Sequence, residues 1–213
     1  MESRKVKKQR KNKRYSFLIY MGIFFLFLGA TYFIYSYYDS QKKNIKEEQK
    51  IEEFFEIEEE APETETEIEE KPIVQEVKVD YIAVLEIPKI DLKRGLVDKN
   101  SPSNNVNKNI YILKETTLPD EQINSHIILA AHSGNSYISY FRNLKKLDLK
   151  DKVNFYYKGT KYIYEVSNKY EIEKTGSTEL KQTNTSDITL ITCISGTNKQ
   201  IVYVANLVDK QDY

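Results

Sequence analysis

LITCISGTNKQIVYVANLV, Leu190 to Val208, holds two apolar runs separated by SGTNK and carries the only cysteine in the chain. Ile188 to Thr192 and Gln200 to Val208 read as strands, being rich in β-branched residues and bounded by Ser, Gly and Asn. Cys193 stands where the first of them gives way to a loop. With no second cysteine an intramolecular disulfide is impossible, and zinc would lack its usual ligands. A lone thiol in this setting is either a small inert hydrophobe or a nucleophile held at the end of a rigid strand. The residues alone leave both readings open.

The same texture extends upstream to about residue 79, with short Val-, Ile-, Tyr- and Thr-rich segments separated by Gly, Asn, Asp and Pro. It predicts further strands at Ile82 to Ile87, Ile110 to Leu113, His126 to Ala131, Lys152 to Tyr157 and Tyr162 to Tyr170. KGTK, Lys158 to Lys161, reads as a hairpin turn, because Gly159 tolerates positive φ. In SYISYFRNLKKL, Tyr137, Phe141 and Leu144, with Ile138 and Leu147, recur at spacings of three and four and predict one helix. Seven or more short strands with one helix point to a mainly β barrel or sandwich. There is no internal repeat and no Gly-rich phosphate loop.

Two histidines complete the chemical inventory. His132 follows the apolar run IILAA and precedes SGNS, so it too marks a strand giving way to a loop. Two strand ends can meet at one rim of a barrel. A thiol attacks as its thiolate, which a neighbouring imidazolium favours, and the same imidazolium can then protonate a leaving amine. His126, at the start of its strand, reads as structural.

The chain is neutral, with 32 basic and 32 acidic residues, but its charge is unevenly distributed. Residues 1–14 form a basic tail. Tyr15 to Tyr38 lacks any charged residue, and as a helix it spans roughly 36 Å, enough to cross a bilayer. Its aromatic exit, Tyr35 to Tyr38, suits a membrane interface, and the basic flank predicts a cytoplasmic N-terminus with everything after Asp39 outside. Residues 39–78 read as a charged extracellular stalk whose apolar residues, among them Ile51, Phe54 and Phe55, are too few for a core. Ala61 to Pro72 within it has the composition of a disordered spacer, and Lys42, Lys43 and Lys46 could pair with Glu47 and Glu53. Residues 79–213 are the expected catalytic domain. Neutral charge and an outside location argue against nucleic acid as a partner, and the 17 tyrosines read as strand formers. Glu171 and Glu173 are too few to predict a calcium site.

TLITC, Thr189 to Cys193, resembles the TLxTC signature of the sortases, membrane-anchored cysteine transpeptidases of Gram-positive bacteria. Tyr81 to Val97, Asn104 to Leu113 and His126 to Val153 are similar to further segments of that family, in the same order. The resemblance implies an eight-stranded sortase-type β-barrel with one or two short helices, behind an N-terminal transmembrane helix. It further implies that Cys193 attacks the Thr–Gly bond of an LPxTG-like sorting signal and that His132 protonates the departing amine. A peptidoglycan precursor or pilin amine would then resolve the thioester, with no cofactor and no metal. Wall attachment is expected over pilin polymerisation, since no second hydrophobic segment follows the last strand and no aromatic lid motif precedes the domain.

One departure stands out. The family's third functional residue is an arginine on the last strand, and the matching position here is Gln200. Gln200 is expected to donate a hydrogen bond to substrate or oxyanion without the positive charge. Lys199 beside it should face the other way by strand alternation, and nothing in the spacing of Arg94 or Arg142 aims them at Cys193. The alternative is a tethered peptide-binding module with little or no turnover. Other cysteine enzymes fit less well: a papain-like protease would have Cys before His, and an L,D-transpeptidase would have the two close together.

Overall fold

The computed structural model describes residues 2–59, 81–174 and 185–213. The expected spacer Ala61 to Pro72 lies outside the described residues. Contacts divide the chain into two units, 1–46 and 47–213. The first is the leading part of a helix, α1 (Glu2–Glu59), that is long and apolar enough to cross a membrane and has its apolar side chains exposed from Phe17 to Tyr38. Lys43 pairs with Asp39 one turn earlier at 2.6 Å.

The second unit is an eight-stranded sheet: β1 (Tyr81–Ile87), β2 (Leu92–Val97), β3 (Tyr111–Ile112), β4 (His126–Ala130), β5 (Lys152–Tyr157), β6 (Thr160–Glu173), β7 (Asp187–Cys193) and β8 (Lys199–Asp212). The strand order is β2-β1-β5-β6-β8-β7-β4-β3, antiparallel throughout except for the parallel pair β4 and β7. The edges β2 and β3 approach each other, and Asn109 Nδ2 donates to the Gly95 carbonyl at 3.1 Å, so the sheet curls into a nearly closed barrel. Side chains alternate between its two surfaces. Leu85, Leu129, Phe155, Tyr164, Leu190 and Tyr203 fill the interior.

Local chemistry accounts for the connections. Lys158 and Gly159 both have positive φ, 48° and 68°, which gives the two-residue hairpin between β5 and β6 the twist its strands need. β6 and β8 run well beyond their expected limits because each lends the other a hydrogen-bonding partner along polar ends that carry no apolar pattern. β2 escapes sequence reading altogether, since LKRGLV places two charges and a glycine in its middle.

The helix expected over residues 136–147 is replaced by turns and one 3-10 turn, Leu144–Lys146. Phe141, Leu144 and Leu147 are fully buried, whereas Tyr137 is exposed. Burial at a strict spacing of three matches the tighter helix, and the backbone bonds from Ser139, Arg142, Leu144 and Leu147 all reach back three residues.

The end of α1 is also more than stalk. Ile51 and Phe54 are buried with Val84, and Phe55 packs edge-on against Tyr156 and Tyr213 at 5.1 and 5.2 Å. Three apolar residues on one helical face suffice here because the barrel wall supplies the rest of the core.

Candidate active site

β4 and β7 run side by side in register from His126 beside Asp187 to Ala130 beside Ile191. The pairing continues past the strand ends. Ala131 N donates to Ile191 O at 3.3 Å, Thr192 Oγ1 donates to Ala131 O at 2.7 Å, and Ser133 Oγ donates to Cys193 O at 2.5 Å. These bonds hold the segment from Ala131 to Ser133, just past β4, alongside Thr192 and Cys193 at the end of β7.

Alternation fixes which way the side chains go. Ile127, Leu129 and Ala131 belong to the barrel interior, while Ile128 and Ala130 lie on the other surface, to which the same alternation carried past β4 assigns His132. Leu190 is interior and Ile191 is not, which puts Cys193 on that same outer surface. Both site residues are half-buried. Beneath them Ile128, Ile191 and Val202 form a buried apolar floor, flanked by Leu113, Tyr170 and Ile172.

Gln200 stands opposite Cys193 in the β7–β8 ladder and shares its surface, as Val202 does. The turn that brings them together uses Gly196 at φ 77° and closes with Ile194 N donating to Lys199 O at 2.9 Å. Lys199 pairs with Glu171 at 3.1 Å, and this bond raises its pKa. Arg94 pairs with Glu47 at 3.4 Å, and Arg142 donates to Ser136 O at 2.5 Å. Cys193 and Gln200 therefore share one face, and Lys199, Arg94 and Arg142 each bond elsewhere.

His126 lies at the far end of the same strand pair, where its Nδ1 contacts the carboxylate of the fully buried Asp187. Among the described residues no group of three or more His, Cys, Asp and Glu comes together to hold a metal ion.

Sequence reading missed one residue of this site. Asn107 Oδ1 lies 3.2 Å from His132 Nε2. It belongs to a loop braced by asparagine side chains: Asn104 bonds to Ile112 N and O, Asn105 Oδ1 accepts from Asn107 N, and Asn109 Oδ1 accepts from Ile110 N. Four asparagines within six residues were the available signal, since such side chains replace backbone partners in tight loops.

A sortase domain family model matches residues 85–208. No curated protein sequence matches the chain. Among solved structures, sortase A of Listeria monocytogenes is 20% identical with a TM-score of 0.53, covering 62% of this chain and 90% of that one. The sortase D5 transpeptidase of Clostridium perfringens is 23% identical with a TM-score of 0.52, covering 61% and 80%. Sortase C1 of Streptococcus agalactiae is 22% identical with a TM-score of 0.54, covering 62% and 69%. These similarities share the barrel across several sortase types, and with the domain match over most of residues 81–213 the chain belongs to the sortase family of transpeptidases.

Proposed function

We propose that the chain is a membrane-tethered cysteine transpeptidase that cleaves an LPxTG-like sorting signal between Thr and Gly and passes the acyl group to an amine. The observation that supports this reading is the bonding of the segment just past β4 to the end of β7, Thr192 Oγ1 to Ala131 O and Ser133 Oγ to Cys193 O, which brings the loop carrying His132 to Cys193. The Cys193 thiolate adds to the Thr carbonyl carbon, and the carbonyl electron pair moves to oxygen. Collapse of the tetrahedral intermediate breaks the C–N bond, and the departing glycine amine takes its proton from the His132 imidazolium. An incoming amine gives a proton back to His132, attacks the thioester and releases the thiolate. Gln200, across the ladder from Cys193, donates its side-chain N–H to the oxyanion or to a substrate carbonyl.

Residues 15–38 anchor the chain, with the basic tail 1–14 in the cytoplasm and the barrel on the outer face. There secreted proteins carrying sorting signals meet the amine of a peptidoglycan precursor, which we favour over a pilin amine as acceptor. A second reading, a tethered binding module without turnover, draws on Gln200 standing where the family arginine is expected.

Incubating the full chain with an LPxTG-like peptide, followed by mass spectrometry, separates the two. The enzyme forms a Cys193 adduct lacking the glycine portion, and an oligoglycine amine discharges it; Cys193→Ala and His132→Ala abolish turnover. Binding without an adduct supports the module, and full turnover in Cys193→Ala ends the enzymatic reading.

A further inference from the structure

Two separate chains of contacts run from one glutamate on α1 to the loop that touches His132. Glu47 is mostly buried, and its Oε1 accepts from Gly95 N at 3.2 Å. The Gly95 carbonyl in turn accepts from Asn109 Nδ2 at 3.1 Å. On the other side Glu47 Oε2 pairs with Arg94 at 3.4 Å and accepts from Tyr81 Oη at 2.8 Å. The Arg94 guanidinium lies 4.5 Å over the ring of Tyr140, whose hydroxyl donates to the Lys108 carbonyl at 3.2 Å. Both routes end on the two residues that follow Asn107. Tyr140 also precedes Phe141, whose N donates to the His132 carbonyl at 3.0 Å, so the second route braces the histidine from its own loop as well.

We propose that Asn107 is a positioning residue for His132, and that the docked helical segment from Glu47 to Ile57 is part of the catalytic unit because Glu47 holds the Asn107 loop in place. The proposal rests on the reading of His132 as the proton-transfer group. An amide oxygen only accepts hydrogen bonds, so the contact between Asn107 Oδ1 and His132 Nε2 requires the neutral ring to carry its proton on Nε2. That choice leaves Nδ1 as the basic nitrogen and fixes the ring plane, as partners of a catalytic imidazole do in general. The Glu47 site is built for fixed geometry. Gly95 has no room for a side chain, since a Cβ there would sit 2.2 Å from the Tyr81 ring, and so the ring closes over the backbone that Glu47 grips. Burial, with the Glu47 carboxylate second, pushes the Tyr81 phenol up and keeps it a hydrogen-bond donor.

The test uses the full chain in detergent micelles with histidine-selective 15N labelling. With only His126 and His132 present, their ring resonances are assigned by one variant, His126→Ala. Asn107→Ala should lower the acylation rate about 10-fold with little change in KM, as expected for a displaced reacting group, and should mix the two neutral tautomers of His132. Asn107→Asp keeps the accepting oxygen and adds negative charge. It should preserve the tautomer and move the His132 limb of the pH–rate profile upward, which a merely structural residue would not do. Glu47→Ala, and Tyr140→Phe, which removes only the hydroxyl, should each reproduce part of the Asn107→Ala change. An unaltered tautomer and rate in Asn107→Ala would overturn the positioning role. Wild-type behaviour in folded Glu47→Ala or in Tyr140→Phe would overturn the helical arm. The ring resonances report whether or not peptide is turned over, so loss of the enzymatic reading leaves this result separately readable.

Discussion

Gln200 lies directly across the antiparallel β7–β8 ladder from Cys193, on the same surface of the sheet. Directly opposed residues have Cβ atoms about 5 Å apart, close enough for a glutamine amide to reach an oxyanion formed beside the thiol. A neutral donor there supplies part of what a guanidinium would. Gln200→Ala should slow single-turnover acylation by roughly 10- to 100-fold, toward the range for loss of one oxyanion donor. Gln200→Arg should raise it, because charge-assisted hydrogen bonds are about twice as strong as neutral ones. Unchanged acylation in Gln200→Ala would remove Gln200 from the mechanism.

His126 provides the contrast on the same strand. It touches the buried Asp187 carboxylate at the end of β4 remote from Cys193. Removing it leaves the fully buried Asp187 carboxyl group without its imidazole neighbour, and an unsatisfied buried polar group costs about 3 kcal/mol. His126→Ala should therefore lower Tm by roughly 10 °C while leaving acylation at low temperature nearly intact. Loss of acylation in a folded His126→Ala protein would move His126 into the reaction.

Legibility followed the physics of each segment. The strand ends at and just before Cys193 and His132 could be read because apolar runs stop abruptly at polar loops, and strand alternation by itself sends Lys199 and Gln200 to opposite faces. β2 could not, because LKRGLV has two charges and a glycine in its middle, and Arg94 and Gly95 take their places from pairing with β1 and from Glu47, far away in sequence. Asn107 was hidden for a related reason: its loop is shaped by side chains bonding to backbone, and neither hydrophobic period records such bonds. Residues 136–147 deceived by near coincidence, since the spacing of three shared by Phe141, Leu144 and Leu147 also satisfies a helical pattern, while Tyr137, one helical turn before Phe141, is exposed.

The end of α1 yields a prediction that a simple stalk would not. Phe54 is buried with Ile51 and Val84, and truncating a buried phenylalanine costs about 3 kcal/mol or more. Phe54→Ala should therefore lower the unfolding free energy of the barrel unit by that order, whereas exposed Glu52→Ala should change it by less than about 0.5 kcal/mol. Equal urea midpoints for the two variants would return this segment to the role of a tether.

Acid should weaken the same wall of the barrel through Glu86. Burial alone would raise this carboxyl, but hydrogen bonds from Tyr156 Oη at 2.7 Å and Asn154 Nδ2 at 2.9 Å, with Lys93 and Lys161 nearby, hold it below the ordinary 4.5. A folded-state pKa below the unfolded value contributes stability at neutral pH, and that contribution is lost as pH falls from 4.5 through the lower folded value. Tyr156→Phe keeps the ring contacts with Phe55 and Tyr213 and removes only the hydroxyl. It should cost about 1 kcal/mol at pH 7, a hydrogen bond to a charged group discounted for solvent exposure. The gap from wild type should narrow steadily in urea titrations taken down to about pH 3, where the unfolded carboxyl is protonated. A gap that stays constant over that range would mean that the hydroxyl acts through packing and not through the carboxylate.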